Sequence, residues 1–265
     1  DAGIGDPYWY EWSVGLRHVI KMLNPDSGID AITLQATAVA KGLDDVHIHF
    51  TSGTTRVIQV KHTRQESSFT FGDLVGSGNS DSLIEQLSQA WKKERSRLNI
   101  EAVEIHTNRQ IGTRARTVST ADGRKTTRPA LNKFWSAVKE QAAKSTSLGD
   151  IKPPNEMADG WREFTLKINH LNDSEAIDFI KQLEINTNQP SLQELKQELL
   201  TSLSNAFGTT PEQSLVLLKQ LDHALRRWAT TDRGESERLT SEYVFRELSS
   251  ASTIELANEH FFPPP

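Results

Sequence analysis

The sequence predicts an α/β fold in which a helix, a three-stranded meander, a second helix and a further strand come first, and a helical C-terminal subdomain follows. Three observations predict it. Apolar residues recur at helical spacing over 7–23 and 81–98; period-two alternation flanks a short Thr51-Ser52-Gly53-Thr54 turn; and helical periodicity runs through most of the last third. The chain of 265 residues, 36% of them hydrophobic, is long enough and apolar enough for one large domain or two modest ones.

Residues 7–23 read as a helix, with Pro7 near its first turn, Trp9, Trp12, Leu16, Val19, Ile20 and Leu23 on its apolar stripe, and Glu11 among the aromatics. Residues 30–41 read as the first strand, ended by Gly42, and the segments 44–50 and 55–61 as the two strands of a hairpin. From His62 to Ser80 the chain is polar and rich in Gly and Ser, which predicts a loop. Its Gly72, Gly76 and Gly78 fit no phosphate-binding fingerprint, since no Gly-Lys-Ser/Thr follows.

Leu83, Ile84, Leu87, Ala90, Trp91 and Leu98 define an amphipathic helix over 81–98, with Asn79 or Ser80 as its cap. Ala102–Thr107 reads as a strand, parallel in the same sheet through a right-handed crossover. The stretch 145–160 is the clearest internal break, so a core of residues 1–150 and a mainly helical subdomain of residues 151–265 are expected. Phe164–Ile168 is read as one more strand. Helices are expected over 173–185, 191–207, 211–229 and 235–248, punctuated by Pro190, by Gly208 with Pro211, and by Gly234.

Composition excludes several function classes. With no cysteine there is no disulfide, no thiolate zinc site and no cysteine nucleophile, and a reducing cytoplasm is the expected compartment. No apolar run approaches the ~20 residues of a membrane span, and no secretory signal is visible. A start at Asp1 rather than Met, and an end in Pro263-Pro264-Pro265, are what a fragment leading through a stiff linker into a further module would show.

The net charge of −5 argues against a protein that coats nucleic acid through overall charge, but two basic patches stand out. One is Lys92, Lys93, Arg95 and Arg97 near a helix end. The other is Arg114, Arg116, Arg124, Lys125 and Arg128 in a Thr/Gly-rich loop with Asp122 as its one acid, a pattern suited to the phosphate backbone of DNA. A solvated surface loop would carry the same charges.

The hairpin carries the chemistry. Strand alternation puts Gln59 and Lys61 on one face of the second strand, and Asp45, His47 and His49 on one face of the first. If the turn is Ser52–Thr54, Thr51 faces Thr55, His47 faces Gln59 and Asp45 faces Lys61. An acid, an amide and a lysine at one end of a hairpin supply oxygen ligands for a hard cation such as Mg²⁺ and an ammonium beside a phosphate. A hairpin that merely buries Val46, Ile48, Phe50, Val57, Ile58 and Val60 would alternate in the same way.

Tyr8-Trp9-Tyr10-Glu11, Leu43-Asp44-Asp45-Val46 and Ile58-Gln59-Val60-Lys61-His62 together resemble the PD-(D/E)XK nuclease superfamily. More narrowly, they are similar to the double-stranded DNA endonuclease domains of bacterial antiphage effectors, which are fused to SAVED sensors in CBASS systems or to STAND ATPase modules, or work with a partner ATPase. The resemblance covers roughly the first 110 residues, through short motifs.

It implies a restriction-endonuclease-like core that hydrolyses double-stranded DNA with Mg²⁺ or Mn²⁺ in the cytoplasm, as a homo-oligomer switched on by assembly with a fused or separate sensor or ATPase module. Asp45 would be the principal metal ligand, Gln59 would occupy the usual Glu/Asp position, Lys61 would be the motif lysine, and Glu11 would match a helical carboxylate of many members. A neutral amide at Gln59 leaves charge neutralisation to Asp45 and Glu11, which suits one metal ion rather than two. Asp44 points to the face opposite Lys61.

Two rivals remain in view. His47, His49 and His62 could form a histidine metal site, although His62 points away from the other two if its strand continues. The nuclease-like fold could also be catalytically inactive, a DNA-binding or oligomerisation module, a reading that Gln59 favours and the joint presence of Asp45 and Lys61 opposes. A Ser-His-Asp hydrolase finds no nucleophile elbow here.

Overall fold

The computed structural model describes residues 6–35, 42–43, 45–64, 67–76, 82–119, 123, 125–229 and 238–250. In chain order these form α1 (Asp6–Met22), β1 (Ile29–Leu34), β2 (Val46–Phe50), β3 (Thr55–Lys61), β4 (Ser68–Phe69), α2 (Phe71–Val75), α3 (Leu83–Leu98) and β5 (Ile100–Thr107). Next come β6 (Gln110–Ile111), β7 (Arg116–Ser119), β8 (Lys125–Arg128), α4 (Leu131–Lys144), α5 (Ala158–Lys167), α6 (Asp173–Gln182) and β9 (Leu183–Asn186). The last elements are α7 (Leu192–Phe207), α8 (Pro211–Arg227), β10 (Leu239–Thr240) and α9 (Ser241–Ser250). The class is mixed α/β, as the sequence predicts.

The chain folds into two compact units, each assembled from separate stretches: Asp1–Ala36, Asp44–Thr55 and Pro190–Pro265 in the first, Thr37–Leu43 and Arg56–Gln189 in the second. The polar stretch 145–160 lies within the second unit, where two single-turn 3₁₀ segments, Leu148–Asp150 and Asn155–Met157, join α4 to α5.

In the first unit β1 lies between β10 and β2 and is antiparallel to both, with Ile32 facing Leu239 on one side and Ile48 on the other. The apolar stripe of α1 packs on this sheet, and at Gly15 the two lie close: a Cβ there would stand 2.4 Å from Leu34 Cδ2. Three polar contacts fix the other flank of α1. Tyr10 donates its hydroxyl to Pro190 O at 2.9 Å, Trp12 Nε1 donates to Asp222 Oδ1 at 2.8 Å, and Arg17 pairs with Glu198 at 2.5 Å. Both α7 and α8 start on capping boxes, Ser191 with Glu194 and Thr210 with Gln213, and Gly208 ends α7 at φ +62, so local sequence sets these boundaries.

The hairpin turn differs from the expected one. Phe50 N donates to Thr54 O and Gly53 N to Phe50 O, both at 2.9 Å, with Gly53 at φ +81. The loop is therefore Thr51–Gly53, a three-residue connection closed by a left-handed glycine, and Thr51 does not face Thr55. The turn is thus one residue earlier than the Ser52–Thr54 turn on which the expected register was drawn.

In the second unit β3, β5 and β9 follow one another in the sheet, and β5 runs parallel to β9 with Glu104 beside Glu184. β4 pairs with β6 in parallel, and β7 with β8 as an antiparallel ribbon. The core gathers Val57, Trp91, Val103, Ile105, Phe134, Phe164 and Phe179, with the Phe134 ring 4.9 Å from Phe71 and 5.7 Å from Phe164. Ser82 caps α3 through Glu85 N; the expected caps Asn79 and Ser80 lie outside the described residues.

Two segments correct the sequence reading. Residues 164–167 belong to α5 and not to a strand, because Trp161, Phe164 and Ile168 share one helical face that turns into the aromatic core, the Trp161 and Phe164 rings stacking 5.9 Å apart. The helix expected over 173–185 stops at Gln182, and Leu183–Asn186 pairs with β5 instead.

Gly160 lies against a rigid neighbour: a Cβ there would stand 2.5 Å from Pro129 Cδ and 2.7 Å from Pro129 Cγ. A proline ring cannot swing aside as a leucine tip can. Gly160→Ala is therefore expected to lower stability by about 1–3 kcal/mol through overpacking, although an exposed helical glycine would gain up to ~1 kcal/mol from the same change. Urea denaturation checks this, and a gain in stability would show that Pro129 gives way.

Candidate functional site

β3 sorts its side chains between two faces. Arg56, Ile58 and Val60 alternate with Thr55, Val57, Gln59 and Lys61. On the first face the Arg56 guanidinium lies 3.6 Å from Glu104 and 3.4 Å from Glu184, and Glu104 accepts a 2.9 Å contact from His106 Nδ1. On the second, Val57 enters the core, Gln59 is buried at 6% exposure, and Lys61 is half-buried at the strand end. Lys61 forms no ion pair among the described residues. Gln59 and Lys61 thus share a face, as the alternation predicts.

Glu11 and Asp45 belong to the first unit, whereas Gln59 and Lys61 belong to the second. Glu11 is half-buried on α1 between the buried Tyr10 and Trp12. Asp45 is half-buried immediately before β2, its carbonyl held by Gln35 N at 2.8 Å, and Gln35 adopts φ +50 to make that contact. Asp44 lies outside the described residues. The expected donor set of two carboxylates and one amide is all oxygen, which suits a hard cation such as Mg²⁺ and does not suit zinc. Among the described residues, no group of three His, Cys, Asp or Glu side chains is gathered for a metal ion.

The histidine alternative loses His49. Its Nε2 lies 3.0 Å from the Thr33 hydroxyl and its Nδ1 3.2 Å from the Thr55 hydroxyl, so both ring nitrogens are engaged by neutral groups inside the first unit. His47 is also buried, its ring 6.2 Å from that of His49. His62 belongs to the second unit.

Within the basic stretch, expected as a loop, Arg116–Ser119 and Lys125–Arg128 form the antiparallel β7–β8 ribbon, in which Arg116 faces Arg128, Val118 faces Thr126 and Ser119 faces Lys125. Alternation splits the charges. Arg116 and Arg128 share the face of Val118, and Lys125 takes the opposite face with Ser119. Arg124 lies outside the described residues. Arg114, Arg116 and Arg128 border a cavity of about 560 Å³, together with Asp73, Thr70 and an arginine that the sequence reading missed, Arg109.

Two of these arginines are immobilised. Arg109 grips Asp73 through two nitrogens at 2.9 and 3.0 Å and bonds Ser68 O; Arg128 grips Glu163 at 2.5 and 3.1 Å and donates to Gly76 O at 2.8 Å. Burial alone would raise the Asp73 carboxyl, but hydrogen bonds from Arg109 and Thr70 outweigh it and hold Asp73 below its usual range. Arg114 and Arg116 are exposed and form no ion pair among the described residues. Arg109 follows a strand in a run, Thr107-Asn108-Arg109-Gln110, that offers no charge cluster, so only the fold reveals its role.

Compared with family models and with curated proteins, the chain matches none. Among the described residues no helix is long and apolar enough to cross a membrane.

Burial pushes His49 down from 6.5 to about 4, with the nearby Arg238 and His47 charges adding to the effect. The folded state therefore holds a neutral imidazole that the unfolded chain protonates first as pH falls. Its contribution is complete above pH ~6.5 and is lost progressively towards pH ~4, up to about 3 kcal/mol. The expected outcome is an acid-side fall in unfolding free energy that is shallower in His49→Gln, measured by denaturant titration at several pH values.

Proposed function

We propose that this chain is a metal-dependent DNA endonuclease module with a restriction-endonuclease-like core, an effector of the antiphage kind whose activity awaits assembly. One observation carries the reading: β3 presents a buried amide and, two residues on, a lysine with no ion pair among the described residues, both on the face of Val57. An ammonium left without a carboxylate costs little at a strand end and is suited to a phosphate.

The roles follow from the side chains. Asp45 and Glu11 would supply the negative charge that a divalent cation requires, and Gln59 a neutral carbonyl oxygen. A bound Mg²⁺ or Mn²⁺ would polarise the phosphodiester and lower the pKa of water. Lys61 would orient the attacking water and offset charge that develops on the phosphate. Arg114, Arg116 and Arg128 would hold the DNA phosphates, with Lys125 on the other face of the ribbon and Arg124 beside it in sequence.

A second reading has specific support: Gln59, an uncharged amide, stands where a carboxylate would be expected. On that reading the chain binds DNA, or copies of itself, without cutting.

Cleavage of supercoiled and linear double-stranded DNA with Mg²⁺ or Mn²⁺, across a range of protein concentrations, separates the two. The endonuclease reading expects activity that falls at least about 10²-fold in Lys61→Ala and in Asp45→Asn, with DNA binding retained. Binding without cleavage at every concentration and with every divalent ion would establish the non-catalytic module.

A further inference from the structure

The cavity beside the β7–β8 ribbon has more built into it than a backbone contact needs. Arg116 and Arg128 stand directly opposite each other, an arrangement of like charges that destabilises a bare ribbon. Glu163 neutralises Arg128, and Asp73 neutralises Arg109, so two guanidinium groups are fixed as walls. Arg114 and Arg116 are left, and they bring a surplus of two positive charges to a space that those fixed groups already shape.

The cavity's size points the same way. Gly72 lets the wall close, since a Cβ there would stand 3.0 Å from the Arg128 guanidinium. A volume of about 560 Å³ far exceeds a bare phosphate and lies within the range of small-molecule sites. Val118, half-buried, adds apolar surface to the lining.

We propose that this cavity takes a phosphomonoester dianion carried on a nucleoside-sized body, either a 5′-mononucleotide or the phosphorylated end of a nucleic-acid strand. Arg114 and Arg116 bind the phosphate oxygens, Arg109 and Arg128 position them, and the apolar wall meets the nucleoside. A doubly charged terminal phosphate matches the surplus charge better than the singly charged diester of an internal backbone position. The proposal rests on reading the ribbon arginines as phosphate contacts and does not involve Asp45, Gln59, Lys61 or Glu11.

Calorimetric titration in the presence of a chelator, so that no cleavage intervenes, tests it on the whole chain. The probes are AMP, adenosine, and two otherwise identical DNA duplexes with and without 5′-phosphates. The expected result is that the phosphorylated member of each pair binds at least about tenfold tighter. That advantage disappears in Arg116→Gln and Arg114→Gln, whose parent side chains form no ion pair among the described residues, and survives in Lys125→Gln on the opposite face.

An advantage confined to AMP assigns the site to free nucleotides; one confined to the duplex assigns it to strand ends. Equal binding of phosphorylated and unphosphorylated probes overturns the proposal, as does a phosphate advantage that persists in both arginine variants. Equal binding of the two duplexes, weakened alike in Arg116→Gln and Lys125→Gln, returns the ribbon to a backbone contact, whereas failure of AMP and of both duplexes to bind removes the phosphate reading as well.

Discussion

β3 must satisfy two opposite demands along seven residues, and the second unit is organised around the way it does so. A strand has a period of two, so a slip of one residue would exchange its faces and bring Arg56 to the core and Val57 to the charged side. Arg56 resists that slip because Glu104 on β5 and Glu184 on β9 stand side by side in register to receive it. Val57 resists it from the other face, locked among Trp91, Val103 and Ile105. Gln59 and Lys61 follow Val57 because they must. A buried amide costs free energy unless hydrogen-bonded, so Gln59 on this face is a polar residue the packing has to accommodate and does not by itself need.

The arginine ribbon shows the same economy with opposite sign. Exposed ion pairs contribute little to stability, but bidentate guanidinium–carboxylate pairs impose geometry. Asp73 serves Arg109 while capping α2 through Thr70, so a five-residue helix and the cavity wall share one carboxylate. Glu163 reaches Arg128 from α5, the helix whose Gly160 packs on Pro129 directly after the ribbon. The ribbon is thereby tied to the aromatic core at its α5 end, and Arg114 and Arg116 project from a fixed base.

Legibility in the sequence followed the strength of the apolar period. α1, α3, α7 and α8 were readable because buried leucines and tryptophans recur at helical spacing and Pro190, Gly208 and Pro211 punctuate the last two. β3 was readable from alternation. Leu183–Asn186 was hidden because four residues at the end of a helix carry too little pattern to declare a strand, and its partner, β5, lies almost eighty residues upstream. The β7–β8 ribbon was hidden because its Thr and Arg residues alternate polar with polar, which composition alone reads as loop. Of the site residues, the common face of Gln59 and Lys61 was legible from period two. Arg109 was not, since its contribution comes from contact with Asp73, thirty-six positions away in sequence.

The central proposal is that Asp45, Glu11 and Gln59 would serve one hard cation and that Lys61 would act on the phosphate instead. Binding of Mn²⁺ measured by electron paramagnetic resonance addresses it without requiring turnover or an activating partner. The account predicts a single bound Mn²⁺ that is lost in Asp45→Asn and retained in Lys61→Ala. A wild-type chain that binds no Mn²⁺, or an Asp45→Asn variant that binds it equally well, would contradict the account.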